Sequence, residues 1–468
     1  MIFCTSICSN YLDKAMVLAR SLKLVDDNYK FVLFLVEEQA PYEAKDYPYF
    51  DKVVLAKDLD FDNFHSHIFK HTIVEAATSI KGEIFTYLLA RYKDNDKFVY
   101  LDPDIKVYSK LMELEDLLDD NQIVLTPHLC EHETSLDNVI HNELCSLRYG
   151  VYNLGFLAIR RGQESVKFIN WWSERLRMFC YDDIPNGVFT DQKWVDLAPA
   201  LFNVYILKHP GYNFAPWNYS KRKIEEIENQ YYVNRHVLRF IHFSGYDSGA
   251  NKIVTNKYFP DTDHLIYKIL DEYSSEMENI CHNKELSKIK WSYSTFSNGH
   301  EISKEHRKLY RSSTILQQIN KNPFIAGNLN PFSEVEEKKY LTYRDIINEF
   351  NITEDKIKIK NFDLNLNSML KNIPKDGKYL IWGYDIHGKI TKRLMSEVAP
   401  KLKCLGYIDK YKKSTSEEEP IYSIEDIEKM PFDYILICTN GGKQEATYFL
   451  KQLGYDLGRG YIYGYGIQ

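Results

Sequence analysis

Two carboxylates one residue apart, Asp102 and Asp104 on either side of Pro103, are the side chains here whose type and spacing most directly suggest chemistry. Alternate residues of an extended chain point the same way at about 3.3 Å rise each, so the two acids stand side by side. The apolar residues 98 to 101 before them read as a short strand, and Pro103 removes a backbone donor and ends sheet pairing. In open α/β sheets ligands sit beyond the carboxyl ends of the strands, and Mg²⁺ or Mn²⁺ takes such oxygen ligands. The pair can therefore hold a divalent cation against a substrate diphosphate; taken alone, it also reads as an Asp-Pro-Asp turn closing a strand.

Other candidates are spread along the chain. His242, in LRFIHFSGYD, follows a strand-like run and is either a core histidine or a third metal ligand, and Gly245 just after it can bring backbone close to a phosphate. In GVYNLGFLAIRR, Asn153 and Gly155 interrupt an apolar strand, and a glycine there marks a bulge or a close approach. Asp191 and Gln192, in GVFTDQKW, either follow a helix cap at Thr190 or point a carboxylate and an amide into a sugar site. Lys81, on a helix read over residues 73 to 92, is a surface lysine or a point charge for a diphosphate. Thr5, Ser6 and Tyr11, at the carboxyl end of the first strand, are candidates for a nucleotide's base and ribose, against a plain helix cap by Ser9 or Asn10. The histidine- and acid-rich stretch His128, Glu131, His132, Glu133 fits no zinc spacing and reads as a mobile loop on the acceptor side.

These residues need a scaffold that collects strand ends on one edge. Residues 2 to 8 and 31 to 36 read as buried strands around a helix that begins at Asn10, an opening that predicts parallel pairing. At 468 residues the chain exceeds one ordinary core. From residue 372 a second α/β unit begins: KYLIWGYDIHGKITKRLM is strand, glycine turn and helix, and CLGYIDK is a strand ending in Asp409. A dinucleotide fingerprint wants three glycines, but Asp385 stands between Gly383 and Gly388, putting a carboxylate beside any pyrophosphate. We read this unit as a docking, dimerisation or vestigial nucleotide-binding module, with residues 336 to 371 as a charged connector. A net charge of −7 gives no support to a nucleic-acid partner. The longest apolar run, 31 to 36, is far short of the roughly 20 residues that span a bilayer. The start, MIFCTSICSNY, goes straight into a strand without a basic leader, and the eight scattered cysteines read as reduced thiols of a cytoplasmic protein.

In order, the Thr5-Ser6 strand, the Lys81 helix, LDPD, NLG, DQKW, WN and HFSG resemble the glycosyltransferases of GT-A fold, in particular bacterial relatives of the glycogenin-like and galactosyltransferase-like retaining families. The resemblance spans residues 1 to 335 and implies an α/β fold: a mixed sheet flanked by helices, followed by a smaller Rossmann-like domain over 372 to 468. It further implies Mn²⁺ (or Mg²⁺) on Asp102, Asp104 and His242, with Asp102 also at the ribose and Gly245 on the phosphates. Lys81 would lie near the donor, and Asn153, Asp191 and Gln192 would line the donor sugar and the reacting carbon. The lysine-proline-tryptophan tail common after the histidine motif of the glycogenin-like group has no clear counterpart. The expected partners are a nucleotide-sugar donor, foremost a UDP-sugar, and a glycan or lipid-linked acceptor, at the inner face of the membrane or free in the cytoplasm, with an oligomer through the C-terminal domain left open. Two further readings stay open: a catalytically weak nucleotide-sugar scaffold, and a C-terminal domain that uses a nicotinamide cofactor.

Overall fold

Because residues 2 to 7 and 31 to 35 are buried, they form parallel strands: β1 (Ile2–Ile7) pairs with β2 (Lys30–Leu35), Phe3 opposite Phe31 and Ile7 opposite Leu35. Between them α1 (Leu12–Val25) buries Leu12, Ala15, Met16, Ala19 and Leu22, a helical spacing, on the sheet. The computed structural model describes residues 1–280, 289–325, 335–412 and 419–467. β3 (Lys52–Leu55) extends the parallel edge.

Two helices, α2 (Ile73–Ser79) and α3 (Lys81–Arg91), replace the single helix expected over 73 to 92, with a break at Ile80. A capping box between Thr72 and Glu75 starts the first. Next come β4 (Lys97–Leu101), β5 (Ile105–Val107), β6 (Ile123–Pro127), α4 (Leu144–Tyr149), β7 (Tyr152–Arg160) and α5 (Gln163–Phe179). β8 (Tyr205–Ile206), β9 (Phe240–His242) and α6 (Ala250–Tyr258) follow. The main sheet runs β8-β6-β7-β4-β1-β2-β3, with β7 antiparallel to both its neighbours, so the sheet is mixed. Outside it, β5 and β9 pair antiparallel, with His242 opposite Ile105.

The chain divides by contact into Met1–Ser294 and Thr295–Gln468. In the second unit α7 (Glu337–Asn348) and α8 (Lys356–Leu370) precede β10 (Lys378–Trp382), α9 (Ile386–Val398), β11 (Lys403–Ile408), β12 (Ile421–Tyr422) and β13 (Tyr434–Ile437). α10 (Lys443–Gln452), β14 (Asp456–Leu457) and β15 (Gly460–Tyr463) complete it. Its sheet, β12-β11-β10-β13-β15-β14, is parallel throughout, a Rossmann-like arrangement. The connector expected at 336 to 371 is instead part of this core: Tyr343, Ile346 and Ile347 of α7 and Ile359, Phe362 and Leu366 of α8 join Ile381, Leu394 and Leu436 in one apolar cluster. Most charges of this stretch lie on the outer helical faces, while Asp363 is buried and accepts from the Tyr343 hydroxyl at 3.1 Å, and together they masked that spacing in the sequence. Among the described residues no helix is long and apolar enough to cross a membrane. The seven described cysteines are free, and Cys281 lies outside the described residues.

Candidate active site

At the end of β4 the chain turns through Asp102 and Asp104, with the Ile105 amide donating to Asp102 O at 3.1 Å, and leaves as β5. That short strand pairs with β9, and the Phe243 amide donates to Asp104 O at 2.8 Å. The ladder thus delivers His242 to the acids: Nε2 lies 3.1 Å from Asp104 Oδ1 and 3.9 Å from Asp102 Oδ2. Burial opposes the charge of Asp104, but the facing imidazole outweighs it and holds the carboxyl below its usual range; against its own burial, His242 is raised by the same contact.

These three residues fit a divalent cation. Their ligand atoms lie within 4.8 Å of one another. Two carboxylates and an imidazole suit Mn²⁺ or Mg²⁺ and leave coordination positions for substrate oxygens. The space beside them is kept clear by Gly155, where a Cβ would come 2.5 Å from His242 Cε1 and 2.9 Å from Asp102 Oδ2. Gly155 O accepts from the Asp102 amide at 2.8 Å, so β7 approaches the acids by backbone, the close approach read from the sequence.

Lys81, at the first position of α3, is 2 % exposed and lies beneath the acids, so the surface reading does not hold. Its ammonium is 2.9 Å from Asp191 Oδ2 and 3.3 Å from Asp102 Oδ1, donates to Leu154 O at 3.0 Å, and sits over the Tyr100 ring. Burial alone would lower it, yet two carboxylates raise it well above its usual value. Asp191 has one cation and the nearby Asp102 charge, so there burial prevails and the carboxyl is raised. Thr190 just before it takes a left-handed φ of +44°, rare for a β-branched residue and a conformation that accumulates at functional sites.

Ser6, Tyr11, Asp102, Asp104 and His242 line one cavity of about 420 Å³ together with Lys81, Asn153, Gly155, Asp191 and Gln192. Two expected residues do not line it. Thr5 is fully buried in β1, one residue out of phase with Ser6, and successive strand residues face opposite sides. Gly245, at φ +73°, is a turn glycine whose carbonyl accepts from the Asn251 amide at 3.0 Å; its neighbour Ser244 is the residue on the cavity wall. Gln192 is on the wall, but its amide is engaged: Oε1 accepts from the Leu154 amide at 3.1 Å, and Nε2 donates to Tyr149 O at 3.1 Å.

The loop expected to be mobile is held at both ends. Glu133 is buried and accepts from Asn142 Nδ2 at 2.7 Å and from Ser220 Oγ at 2.5 Å. His128 points Nδ1 at Val151 O, 3.3 Å away, and since a carbonyl only accepts, Nδ1 carries the proton. Nε2 then accepts from Asn153 Nδ2 at 3.2 Å, and Asn153 Oδ1 accepts from Asn213 Nδ2 at 3.0 Å. Burial lowers His128 to about 4, which keeps it neutral in that role. Trp217, whose indole stands edge-on to both His128 and His242 at 5.1 Å, was marked in the sequence only through the WN pair, and Asn213 not at all. Arg222 of the same loop is buried, donating to the carbonyls of Pro210, Tyr212 and Asn213.

Residues 375–459 match the family described as C2185-like, N-terminal. Over 280 residues the chain is 22% identical to the uncharacterized protein YfnD of Bacillus subtilis (strain 168), covering 59% of this chain and 85% of that one. Over 261 residues it is 24% identical to YfnF of the same organism, covering 52% and 81%. Solved structures similar to the first part of the chain are glycosyltransferases of GT-A fold. Among them is the galactosyltransferase LgtC in complex with donor and acceptor sugar analogues, at 15% identity, 59% of this chain, 100% of that chain and a TM-score of 0.32. At that score no residue role transfers.

Proposed function

We propose that the chain is a metal-dependent glycosyltransferase that moves a sugar from a nucleoside diphosphate sugar to a hydroxyl of a glycan or lipid-linked acceptor, with retention, in cell-surface polysaccharide assembly. The observation that carries this reading is the meeting of Asp102, Asp104 and His242 at the wall of a cavity that also holds Asn153 and Asp191. Breaking the bond between sugar and diphosphate develops negative charge on the leaving oxygen and positive charge on the anomeric carbon. Asp102, Asp104 and His242 would hold Mn²⁺ or Mg²⁺, which when bound neutralises the leaving diphosphate.

The other side chains serve the sugar. Asp191 faces the developing positive charge, and Lys81 fixes it in place while offsetting the crowding of acids. His128 and Asn213 fix the amide of Asn153 from both sides, so it meets the sugar without a cost of reorganisation. The departing diphosphate can take the acceptor's proton on the face it leaves. An acceptor with an apolar part suits the rim: Asn142 and Ser146 face the cavity, while Leu136, Ile140, Leu144 and Leu147 of the same segment are exposed. The test is a panel of nucleoside diphosphate sugars followed for hydrolysis and transfer with Mn²⁺. Turnover of one donor that ends on chelation supports the reading; binding without turnover marks a nucleotide-sugar scaffold; neither overturns both.

A further inference from the structure

Carboxylates outnumber lysines on the cavity wall. Asp102, Asp104 and Asp191 face it, and Lys81 is already bound to two of them and to Leu154 O. The diphosphate of a donor brings more negative charge to the same edge. A second lysine, Lys14, stands near the same edge. It lies on α1, one turn beyond the cavity-lining Tyr11, and its ammonium sits 4.1 Å from the centre of that ring.

The partner of Lys14 is unusual. The Lys14 side chain is 5 % exposed, yet Nζ meets Asp247 Oδ2 at 2.7 Å, and that side chain is 52 % exposed. Asp247 also acts on the Tyr11 hydroxyl. It sits in a turn between Gly245 (φ +73°) and Gly249 (φ +75°), three residues past Ser244 on the cavity wall. A buried ammonium must be paired, and here its partner is an acid that can swing into water without disturbing the core.

We propose that Lys14 is a binding residue for the diphosphate of the donor, with Asp247 holding its place until a phosphate oxygen arrives. The proposal deepens the reading above and rests on it. No covalent bond changes: a phosphate oxygen takes the position of Asp247 at Nζ, and the displaced carboxylate turns to solvent. An ammonium, a compact point charge, suits a diphosphate whose oxygens are shared with a cation.

Lys14 and Asp247 should then have opposite effects on one measurement. Calorimetry on the full chain with Mn²⁺ would use the nucleoside diphosphate that binds the wild type most tightly, and its parent nucleoside. Lys14→Met should weaken the diphosphate about 10- to 100-fold, the loss expected for a charged hydrogen bond, and leave the nucleoside within about twofold. Asp247→Asn should tighten the diphosphate by about two- to fivefold, because it removes a competing charge. Lys14→Arg, which keeps the charge and the pair with Asp247, guards against a folding defect and should retain most of the diphosphate affinity. If Lys14→Met weakens nucleoside and diphosphate alike, or Asp247→Asn weakens both, the pair is a packing latch and the proposal is overturned. Equal diphosphate binding by wild type and Lys14→Met removes Lys14 alone, whereas a wild type that binds no nucleoside diphosphate removes the transferase reading itself.

Discussion

The two larger sheets of this chain have carboxylates just beyond the ends of inner strands, and the two edges use them in opposite ways. At the end of β4, Asp102 and Asp104 face a lysine, an imidazole and an open cavity. Beyond β10 and β11, Asp385 accepts from the amides of His387 and Gly388 at 2.9 and 3.1 Å, and Asp409 from those of Tyr384, Tyr411 and Lys412 at 2.9 to 3.1 Å. The place a pyrophosphate takes at a helix N-terminus is thus filled by the chain's own acid. A carboxylate at a strand end becomes a ligand site only where the local backbone leaves its lone pairs free. In the first unit Pro103 helps by withholding an amide; in the second, the turn residues supply amides and use the acids up.

The sharpest test of that contrast exchanges a ligand acid for a structural one. Asp104→Ala should lower donor turnover by about 10²- to 10³-fold, the scale of removing a principal electrostatic group, with the folded state retained. Asp409→Ala should leave turnover unchanged and cost about 1–3 kcal/mol in the unfolding of the second unit. Loss of turnover in the second variant would break the comparison.

Acid should separate the two regions by pH. His128 is lowered by burial to about 4, while an unfolded histidine titrates near 6.5. As pH falls below about 6.5 the unfolded chain therefore takes up a proton the native one refuses, and the first unit should lose up to about 3 kcal/mol by pH 4. Asp409 behaves otherwise: burial would raise it, but the backbone amides hold it below its usual range. Its contribution is present above the ordinary carboxylate value and is lost only as pH falls through the lower folded value. Unfolding curves between pH 7 and 3 should show the first unit weakening first, and His128→Gln should flatten that slope.

A smaller effect sharpens the metal side. Gly155→Ala places a methyl against His242 and Asp102, and should weaken Mn²⁺ about 10- to 100-fold, as changes beside metal ligands do, measured by titration of the full chain. Smallest is Asp385→Ala, which removes a helix cap and should cost about 1 kcal/mol in thermal unfolding, without creating binding of a nicotinamide dinucleotide. Such binding, before or after the substitution, would return the second edge to the ligand class.

Local patterning alone determined several features. Apolar runs marked the strands, their alternation with helices marked two α/β units, and the spacing of Asp102 and Asp104 put both at a strand end, because strand direction and side-chain alternation are set by neighbouring residues. What tertiary structure decided were the partners. His242 reaches the acids only because β9 pairs with β5 in one register, and Lys81 is buried only because Leu154 O of β7, Asp102 and Asp191 converge on its ammonium. Thr5 and Gly245, plausible from adjacency, are turned away or spent on a turn. Asn213 carried no signal of its own and Trp217 only that of the WN pair, since an asparagine or tryptophan in a polar loop has no fixed role until distant strands close around it. Register between segments far apart in the chain depends on the whole set of buried contacts, and no short stretch of sequence contains it.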